Sequence, residues 1–459
     1  MGALAGMLSD AGFKVTGSDT GAYPPMSDYL ASLGIEIQLG YNAANLSPKP
    51  DLVVIGNVIR KTYEEAEAVL DEDLLYCSFP QILGTLFLAE SRSIVLAGTH
   101  GKTTTTSITA WLAEAAGLTP GYLVGGVVHG WDRTARRGGG SHFVIEGDEY
   151  DTAFFDKGPK FLHYRANTAV ITSVEFDHAD IYRDLEHVQE SFQKLVAGLP
   201  EDGLVIARGD HPTVNQVIAE APCEVWTYGR GQEWDGRVDH CDHDAGTMTF
   251  TVTRDGAPLG PFTSRLVGEH NLYNQVAAVA ALIREGVSVE ALQKGFESFQ
   301  GIRRRQEVRG EPGGVTIVDD FAHHPTAVGV TLDALRMRFG ARRLWAIFEP
   351  RTNTSKQKFF QDAYTKVFGQ ADRVIIAAPG DQSRIDDDNR MDSEQLAAGL
   401  RAEGVEALHL NSVEEIVATV TSNCMESDVV AVLSNGAFGG IHELLLEKLQ
   451  QRFGETQSK

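Results

Sequence analysis

The chain has 459 residues, with 63 acidic side chains against 40 basic ones and a formal net charge of −23. This length predicts about three domains, and an acidic balance without a basic stripe excludes a nucleic-acid backbone as the expected partner. No apolar run reaches the ~18 residues of a membrane span and no secretory signal opens the chain, so we expect a cytoplasmic protein with no membrane partner.

The first segment, residues 1–89, alternates short apolar strands with helices, a pattern typical of a Rossmann-like domain. Two of its predicted strands end at Asp19 and Asn57, and open parallel sheets bind ligands at such ends. We therefore expect both residues to contact a substrate. The chain opens directly on a helix at residues 2–8, so we expect the strand and glycine turn that normally precede such a helix to be missing from this numbering. The predicted strands cover 14–19, 35–40, 51–57 and 74–78.

The second segment, residues 90–300, begins with an apolar strand that enters a glycine turn. The turn has the sequence Gly98-Thr99-His100-Gly101-Lys102-Thr103-Thr104. Its backbone N–H groups can bind phosphate oxygens, its lysine can reach the β- and γ-phosphates, and its first following hydroxyl can bind Mg²⁺. The spacing is shorter than the common phosphate-binding motif. The alternative, an ordinary strand-to-helix turn, leaves four consecutive threonines, which are poor helix formers, unexplained.

Acidic residues follow the next two apolar strands of this segment. Because the carboxyl ends of parallel strands lie side by side, these groups should gather beside the phosphates, and their mutual repulsion implies Mg²⁺. The competing interpretation is that the acids cap a helix or face solvent, and that the histidine is structural. We favour Glu149 as the metal ligand and His178 as a second. The alternatives on the same stretch are Glu146, Asp148 and Asp151.

Two asparagines, Asn271 and Asn274, open an alanine-rich helix later in this segment. A side-chain amide offers both a donor and an acceptor to a purine edge. Simple N-capping of the helix is the competing explanation. The sequence alone leaves both open.

The third segment, residues 301–459, repeats the alternation, with predicted strands at 315–318, 344–348, 373–378 and 429–433. Polar residues follow these strands and should line one edge of the sheet. The cationic run that opens the segment would ordinarily face solvent, but Arg305 could reach a triphosphate held by the second segment. The polar residues are Asp319, Asp320, His323, His324, Glu349, Arg351, Ser434 and Asn435.

Taken together, these motifs resemble the Mur ligases, which build the peptide of peptidoglycan, and the resemblance covers essentially the whole chain. It implies an α/β protein of three domains: a Rossmann-like N-terminal domain, a central P-loop ATPase-type parallel sheet and a C-terminal Rossmann-like domain. Within the family, segments 154–164, 349–354 and 434–442 resemble the branch that joins UDP-N-acetylmuramate to the recycled tripeptide L-alanyl-γ-D-glutamyl-meso-diaminopimelate. The alternatives are the branch that adds free L-alanine and a catalytically impaired nucleotide-binding relative.

The resemblance implies that ATP and Mg²⁺ are required and that the reaction passes through an acyl phosphate. It implies that Lys102 stabilises the transferring phosphoryl group, that Thr103 and Glu149 hold one Mg²⁺, and that His178 holds another. Asn274 would contact adenine, and Arg305 the phosphates. The usual tyrosine of the third-segment motif is Phe321 here, so any hydroxyl contact at that position is absent.

The remaining implied roles lie mainly at the acceptor side. Asp320, together with His323 or His324, would complete the nucleotide and acyl-phosphate side, and the planar guanidinium of Arg351 suits a peptide carboxylate. The predicted substrate contacts are Asp19, Asn57, Gly125, Gly126, Arg351, Asn353, Ser434 and Asn435.

Overall fold

The computed structural model describes residues 1–24, 26–179, 181–383 and 385–454. Over these ranges it is a mixed α/β protein with one ten-stranded sheet, one six-stranded sheet and three two-stranded sheets. No helix within them is long and apolar enough to cross a bilayer. Short 3₁₀ turns cover Ala43–Leu46, Lys160–His163, Pro312–Gly314, Lys358–Phe360, Phe368–Gln370, Asp387–Asn389 and Phe438–Gly440.

All four predicted strands of the first segment are confirmed, each shorter than predicted. The strands form two separate parallel pairs, the first with the second and the third with the fourth. The helix after the fourth strand begins with a capping box, in which Ser78 and Gln81 satisfy each other's backbone N–H groups. The elements are α1 (Gly2–Asp10), β1 (Gly17–Asp19), α2 (Met26–Ser32), β2 (Ile37–Leu39), β3 (Val53–Ile55), α3 (Glu64–Asp71), β4 (Tyr76–Ser78) and α4 (Phe79–Leu86).

The second segment contains the ten-stranded sheet. The helices are α5 (Lys102–Ala115), α6 (Leu185–Ala197), α7 (Pro212–Ile218), α8 (Glu269–Arg284) and α9 (Val289–Ser298). The strands are β5 (Arg92–Ala97), β6 (Gly121–Leu123), β7 (Ala135–Arg136), β8 (His142–Gly147), β9 (Asp151–Ala153), β10 (Asp156–Pro159), β11 (Thr168–Ile171), β12 (Leu204–Arg208), β13 (Glu224–Tyr228), β14 (Trp234–Asp242), β15 (Thr247–Arg254) and β16 (Ala257–Ser264).

The order across this sheet is β16-β15-β14-β13-β12-β11-β5-β8-β6-β7, while β9 and β10 form a separate hairpin. The strands from β14 to β6 are parallel, and β15, β16 and β7 extend the sheet with antiparallel edges. Strand β5 pairs on one side with β8 and on the other with β11, with Leu96 opposite Glu146 and Ala97 opposite Ile171. The turn after β5 therefore lies between the carboxyl ends of the two acidic strands.

The interior of this sheet is covered on both faces, as expected for continuous apolar strands. Leu96 and Val144 belong to a cluster on the face covered by α5 and α8. Val95 and Ile145 belong to the cluster on the opposite face, which α4 and α6 cover. Burial of both faces leaves the strand ends as the place where polar side chains can meet.

The third segment forms the six-stranded sheet, in the order β17-β18-β22-β19-β20-β21, in which β17 runs antiparallel. The four predicted strands are confirmed, whereas the edge strands β17 and β21 were not predicted because their sequences carry charged and polar residues. The elements are β17 (Glu307–Gly310), β18 (Thr316–Asp320), α10 (Pro325–Phe339), β19 (Leu344–Phe348), α11 (Gln361–Val367), β20 (Arg373–Ala377), α12 (Ser393–Ala402), β21 (Glu406–Leu410), α13 (Val413–Asn423), β22 (Val429–Leu433) and α14 (Ile441–Gly454).

Candidate active site

The turn after β5 packs tightly against the end of β11. Gly98 has φ +136° and Gly101 has φ +82°, conformations that favour glycine. A Cβ atom at Gly98 would lie 2.1 Å from Thr172 Oγ1 and 2.8 Å from the Ser173 backbone nitrogen. The Thr99 backbone N–H also donates to the Ser173 carbonyl, at 3.0 Å. The glycines are therefore required by close main-chain packing as well as by the turn.

The threonines that begin α5 make hydrogen bonds that compensate for their low helix propensity. Thr105 Oγ1 donates to the Gly101 carbonyl at 2.9 Å, and Thr106 Oγ1 donates to the Lys102 carbonyl at 2.8 Å. Hydroxyls that bond one turn back can be buried without loss of a hydrogen-bond partner. This leaves the Thr103 hydroxyl to face the acidic strand.

The Lys102 ammonium lies at the mouth of the turn. Its Nζ donates to the Gly98 carbonyl at 2.6 Å and to Glu149 Oε1 at 3.0 Å. Burial alone would lower the pKa of Lys102, but the charge and hydrogen bond of Glu149, with the charges of Asp148 and Glu146, raise it instead. The lysine is therefore held as a cation at the position predicted for the phosphates.

The second carboxylate, Glu146, faces Thr103. The Thr103 hydroxyl donates to Glu146 Oε1 at 2.8 Å, and the Gly125 backbone N–H donates to Oε2 at 2.7 Å. Burial raises the pKa of Glu146, although Lys102 opposes the shift. Gly126 lies beside the same threonine, because a Cβ atom there would be 2.8 Å from Thr103 Cγ2. Hydroxyl and carboxylate oxygens are the ligands that Mg²⁺ prefers, so this donor set fits that ion.

His178 joins this cluster from the loop after β11. Its backbone has φ +54°, and its N–H donates to Asp177 Oδ1 at 2.7 Å. Its Nε2 lies 3.2 Å from Glu149 Oε1. Burial would lower the pKa of His178, but the hydrogen bond to Glu149 and the charge of Asp177 raise it. The structure thus brings Lys102, Glu149 and His178 together, as the sequence predicted.

Asn274 lies in the second turn of α8 and contacts the glycine turn at residues 98–104, which we call the phosphate turn. Its Oδ1 accepts from the Thr105 hydroxyl at 3.2 Å, and its Nδ2 donates to Asn271 Oδ1 at 3.3 Å. The cap residue of α8 is Gly268, with no side-chain cap. N-capping by the asparagines is therefore wrong. The adenine contact stays a prediction.

Asp320 ends β18 and orders the loop that follows it. Its Oδ1 accepts from the Ala322 N–H and its Oδ2 from the Gln306 N–H, both at 2.8 Å. Burial raises the pKa of Asp320, and the charge of Arg305 opposes the shift. The Arg305 guanidinium carbon lies 4.8 Å from the centre of the Phe321 ring. This carboxylate therefore positions the loop that carries the histidines.

Both histidines of the third-segment motif are held in their neutral form. Burial lowers the pKa of His323, and burial with the nearby His100 lowers the pKa of His324 to about 4. His323 Nδ1 lies 3.1 Å from the Phe321 carbonyl oxygen. The His324 ring lies 4.8 Å from the ring of His100, measured between centroids. The motif thus reaches the phosphate turn directly.

The predicted substrate residues of the third segment lie beyond these histidines. Arg351 and Asn353 are exposed, and the Arg351 guanidinium lies 3.8 Å from Glu349 Oε1. The Ser434 hydroxyl donates to the other oxygen of Glu349. Asn435 Oδ1 is buried and has no hydrogen-bond partner among the described residues. Of these groups, the Arg351 guanidinium is open to a ligand.

The first-segment candidates lie on the other side of the phosphate turn. Asp19 and Asn57 are both exposed, at the end of β1 and just after β3. Arg133 of the second segment pairs with Asp10 of α1 at 2.8 Å, which connects the two segments.

Two contacts between the second and third segments were not predicted. The Thr354 hydroxyl donates to Asp177 Oδ1, and the Thr326 hydroxyl donates to Glu175 Oε2, both at 2.8 Å. Thr354 is the last residue of the segment 349–354, and Thr326 follows His324 by two residues. Their proximity to the motifs was the available signal, but a neutral hydroxyl gives no chemical reason to pair it with a distant carboxylate.

Three family models match the chain: the Mur ligase middle domain over residues 96–282, the Mur ligase glutamate ligase domain over 304–436, and the Mur ligase family catalytic domain over 1–91.

Individual relatives match along the full length. The UDP-N-acetylmuramate–L-alanyl-γ-D-glutamyl-meso-2,6-diaminoheptandioate ligase of Escherichia coli (strain K12) is 39% identical, over 100% of this chain and 97% of the relative. The UDP-N-acetylmuramate–L-alanine ligase of Acetivibrio thermocellus is 31% identical, over 98% and 94%. A crystal structure of a murein peptide ligase from Psychrobacter arcticus 273-4 matches with a TM-score of 0.69 and 34% identity, over 98% of this chain and 96% of that one.

Proposed function

The chain belongs to the Mur ligase family, and from this premise we propose that it is an ATP-dependent, ADP-forming ligase that joins UDP-N-acetylmuramate to the tripeptide L-alanyl-γ-D-glutamyl-meso-diaminopimelate. The observation that carries the choice of acceptor is the full-length identity of 39% to a relative named for this peptide, against 31% to one named for L-alanine. The reaction would return a recycled peptide to the peptidoglycan precursor pool.

The chemistry begins at the phosphate turn. The muramate carboxylate attacks the γ-phosphate of ATP, which gives an acyl phosphate and ADP. Lys102 and the backbone N–H groups of the turn neutralise the charge on the transferring phosphoryl group, which is the main requirement of such a transfer. The buried, ion-paired position of the Lys102 ammonium supports this role.

The second step forms the amide. The amino group of the tripeptide attacks the acyl carbon, the C–O bond to phosphate breaks, and inorganic phosphate leaves while the attacking nitrogen loses a proton. His323 and His324 lie on the third-segment side of the turn, with Arg305, and we propose that they contact the nucleotide and acyl phosphate. Arg351 would bind a peptide carboxylate, because its exposed guanidinium suits a bidentate pair.

We further propose two sites for Mg²⁺ in this cluster. Thr103 and the carboxylates of Glu146 and Glu149 would hold one ion, and His178 with Glu149 would hold another. Bound there, Mg²⁺ would neutralise the phosphate oxygens. The contact between Thr103 and Glu146 favours Glu146 as a ligand in addition to Glu149.

We assign a separate binding role to each of three domains. Residues 1–89 would bind the UDP-sugar through Asp19 and Asn57, 90–300 would bind ATP, and 301–459 would bind the peptide and contact ATP. All four cysteines are free thiols, which is consistent with a reducing compartment. We therefore place the reaction in the cytoplasm.

A choice of acceptors tests the proposal. Purified protein is given UDP-N-acetylmuramate, ATP and Mg²⁺ with either the tripeptide or L-alanine, and release of ADP is followed together with the mass of the product. We expect turnover with the tripeptide and little with L-alanine. Turnover with L-alanine alone would instead assign the protein to the other branch, and ATP binding without any product would indicate an impaired relative.

A further inference from the structure

A cluster of three metal-binding side chains lies beside the phosphate turn, and one of them, His324, is also among the residues proposed above to contact the nucleotide. It consists of His100, Glu175 and His324, and one ligand atom from each lies within 4.8 Å of the others. The first two belong to the second segment and the third to the histidine motif of the third. Contacts between the two segments therefore assemble the cluster.

One ring nitrogen of each histidine in this cluster has no hydrogen bond to the described part of the chain. Nε2 of His100 and Nε2 of His324 are both buried, and neither has a hydrogen bond among the described residues. His324 is only 5% exposed. His100 Nε2 lies 3.5 Å from Glu175 Oε2. Buried polar atoms are almost always satisfied, so two unpaired nitrogens facing one carboxylate call for an explanation.

The carboxylate of the cluster is held in place by a neighbouring hydroxyl. The Thr326 hydroxyl donates to Glu175 Oε2 at 2.8 Å and orients it, as a supporting residue does in many metal sites.

We propose that His100, Glu175 and His324 bind a divalent transition-metal ion such as Zn²⁺, which joins the phosphate turn to the third segment. Two imidazoles and one carboxylate are a ligand set for Zn²⁺ or Co²⁺ rather than for Mg²⁺. Binding at His324 Nε2 places the ring proton on Nδ1 and breaks the 3.3 Å hydrogen bond from the Thr326 N–H. That hydrogen bond is long and therefore weak, so the free energy lost with it is smaller than the free energy gained from a metal–nitrogen bond.

Zinc binding to the full-length protein tests this site. The protein is stripped with a chelator and titrated with Zn²⁺ against a chromophoric chelator, in excess Mg²⁺ and without nucleotide. Co²⁺ is titrated in parallel, because its visible absorption reports nitrogen and oxygen ligands. We expect one ion per chain that Mg²⁺ does not displace.

Three variants and one control decide whether this cluster is the site. Glu175→Gln and His324→Gln should each weaken Zn²⁺ binding at least about tenfold, and Thr326→Val, which removes the orienting hydroxyl, about tenfold. His163→Gln, at a histidine paired with Asp156 outside the cluster, should bind as the parent does. Parent-like binding by all three cluster variants, or displacement by Mg²⁺, would overturn the proposal.

Thermal melting separates loss of the site from loss of the fold. Without Zn²⁺, Glu175→Gln and Thr326→Val should melt close to the parent, because neither side chain is part of an apolar core, whereas His324 also caps α10. Zn²⁺ should raise the melting temperature of the parent and of His163→Gln but not that of Glu175→Gln. If a histidine variant fails to fold, Thr326→Val still tests the site, since it leaves all three ligands in place.

Discussion

Two sheet edges meet at the candidate active site, and they handle charge in opposite ways. At the ends of β5 and β8, the Lys102 ammonium is ion-paired with Glu149, 2.9 Å from Nζ to Oε2, and Glu146 lies close by on the same edge. At the end of β18, burial lowers the pKa of His323 and of His324, which favours neutral rings. The first edge is suited to hold a highly charged ligand, and the second to contact it with little change in net charge.

The difference shows how one cleft can bind a triphosphate without a large net charge of its own. A buried ion needs a partner, whereas a neutral imidazole can donate one hydrogen bond at much lower desolvation cost. The two edges are joined by neutral hydroxyls, Thr326 and Thr354, bonded to carboxylates of the second segment. Substitutions that change charge should therefore affect the first edge more than the second.

The largest effect should come from Lys102→Ala. Loss of the ammonium removes the main compensation for phosphate charge, so we expect ligation to fall by at least about 100-fold. Steady-state ADP release with all substrates measures it. Lys448→Ala, at an exposed lysine of α14, is the matched control. Ligation at the parent rate in Lys102→Ala would contradict the role of charge at the first edge.

Each of the two carboxylates of the first edge can be tested as a ligand through the Mg²⁺ dependence of the activity. We expect Glu149→Gln and Glu146→Gln each to raise the Mg²⁺ concentration for half-maximal activity by about tenfold or more, because each removes a charged ligand. Activity is measured over a Mg²⁺ series at saturating ATP. Asp156→Asn, on the β9–β10 hairpin, is the control. An unchanged Mg²⁺ dependence in one variant would exclude that residue as a ligand.

At the acceptor side, Arg351→Ala should act on the peptide alone. Loss of a charge-assisted pair predicts a rise of about tenfold in KM for the tripeptide, while KM for ATP stays constant. Arg390→Ala, at an arginine of the third segment that pairs with Asp387, is the control. A larger change in the KM for ATP than for the tripeptide would move Arg351 to the nucleotide side.

The smallest expected effect is on the pH dependence of the free energy of unfolding. Because the pKa of His324 is lowered to about 4, the unfolded chain binds a proton more readily than the folded one below the ordinary histidine pKa of ~6.5. The free energy of unfolding should therefore fall as the pH drops from about 6.5 to 4. Urea unfolding at several pH values measures the slope, and His324→Gln should flatten it. An unchanged slope would contradict the neutral state of this ring.

Much of this arrangement could be predicted from sequence because parallel sheets place their strand ends together. The eight strands predicted in the outer segments are present, and Lys102, Glu149 and His178 converge as expected. The strands β14, β15 and β16, which pair antiparallel with one another, were not recognised, because an alternation of polar and apolar residues without a motif gives no functional cue. Pairings between segments, such as Thr326 with Glu175, depend on how domains pack, which local patterns do not encode.

Gly98 has a consequence for how members of this family can diverge. Since its main chain touches Thr172 and Ser173 with no room for a side chain, the phosphate turn and the loop that leads to His178 must move as one body. The spacing between Lys102 and His178 is then set within the second segment, and Thr326 and Thr354 of the third segment bond to the same loop at Glu175 and Asp177. If Arg351 binds the peptide as proposed, acceptor preference can change there while the phosphate turn keeps its alignment.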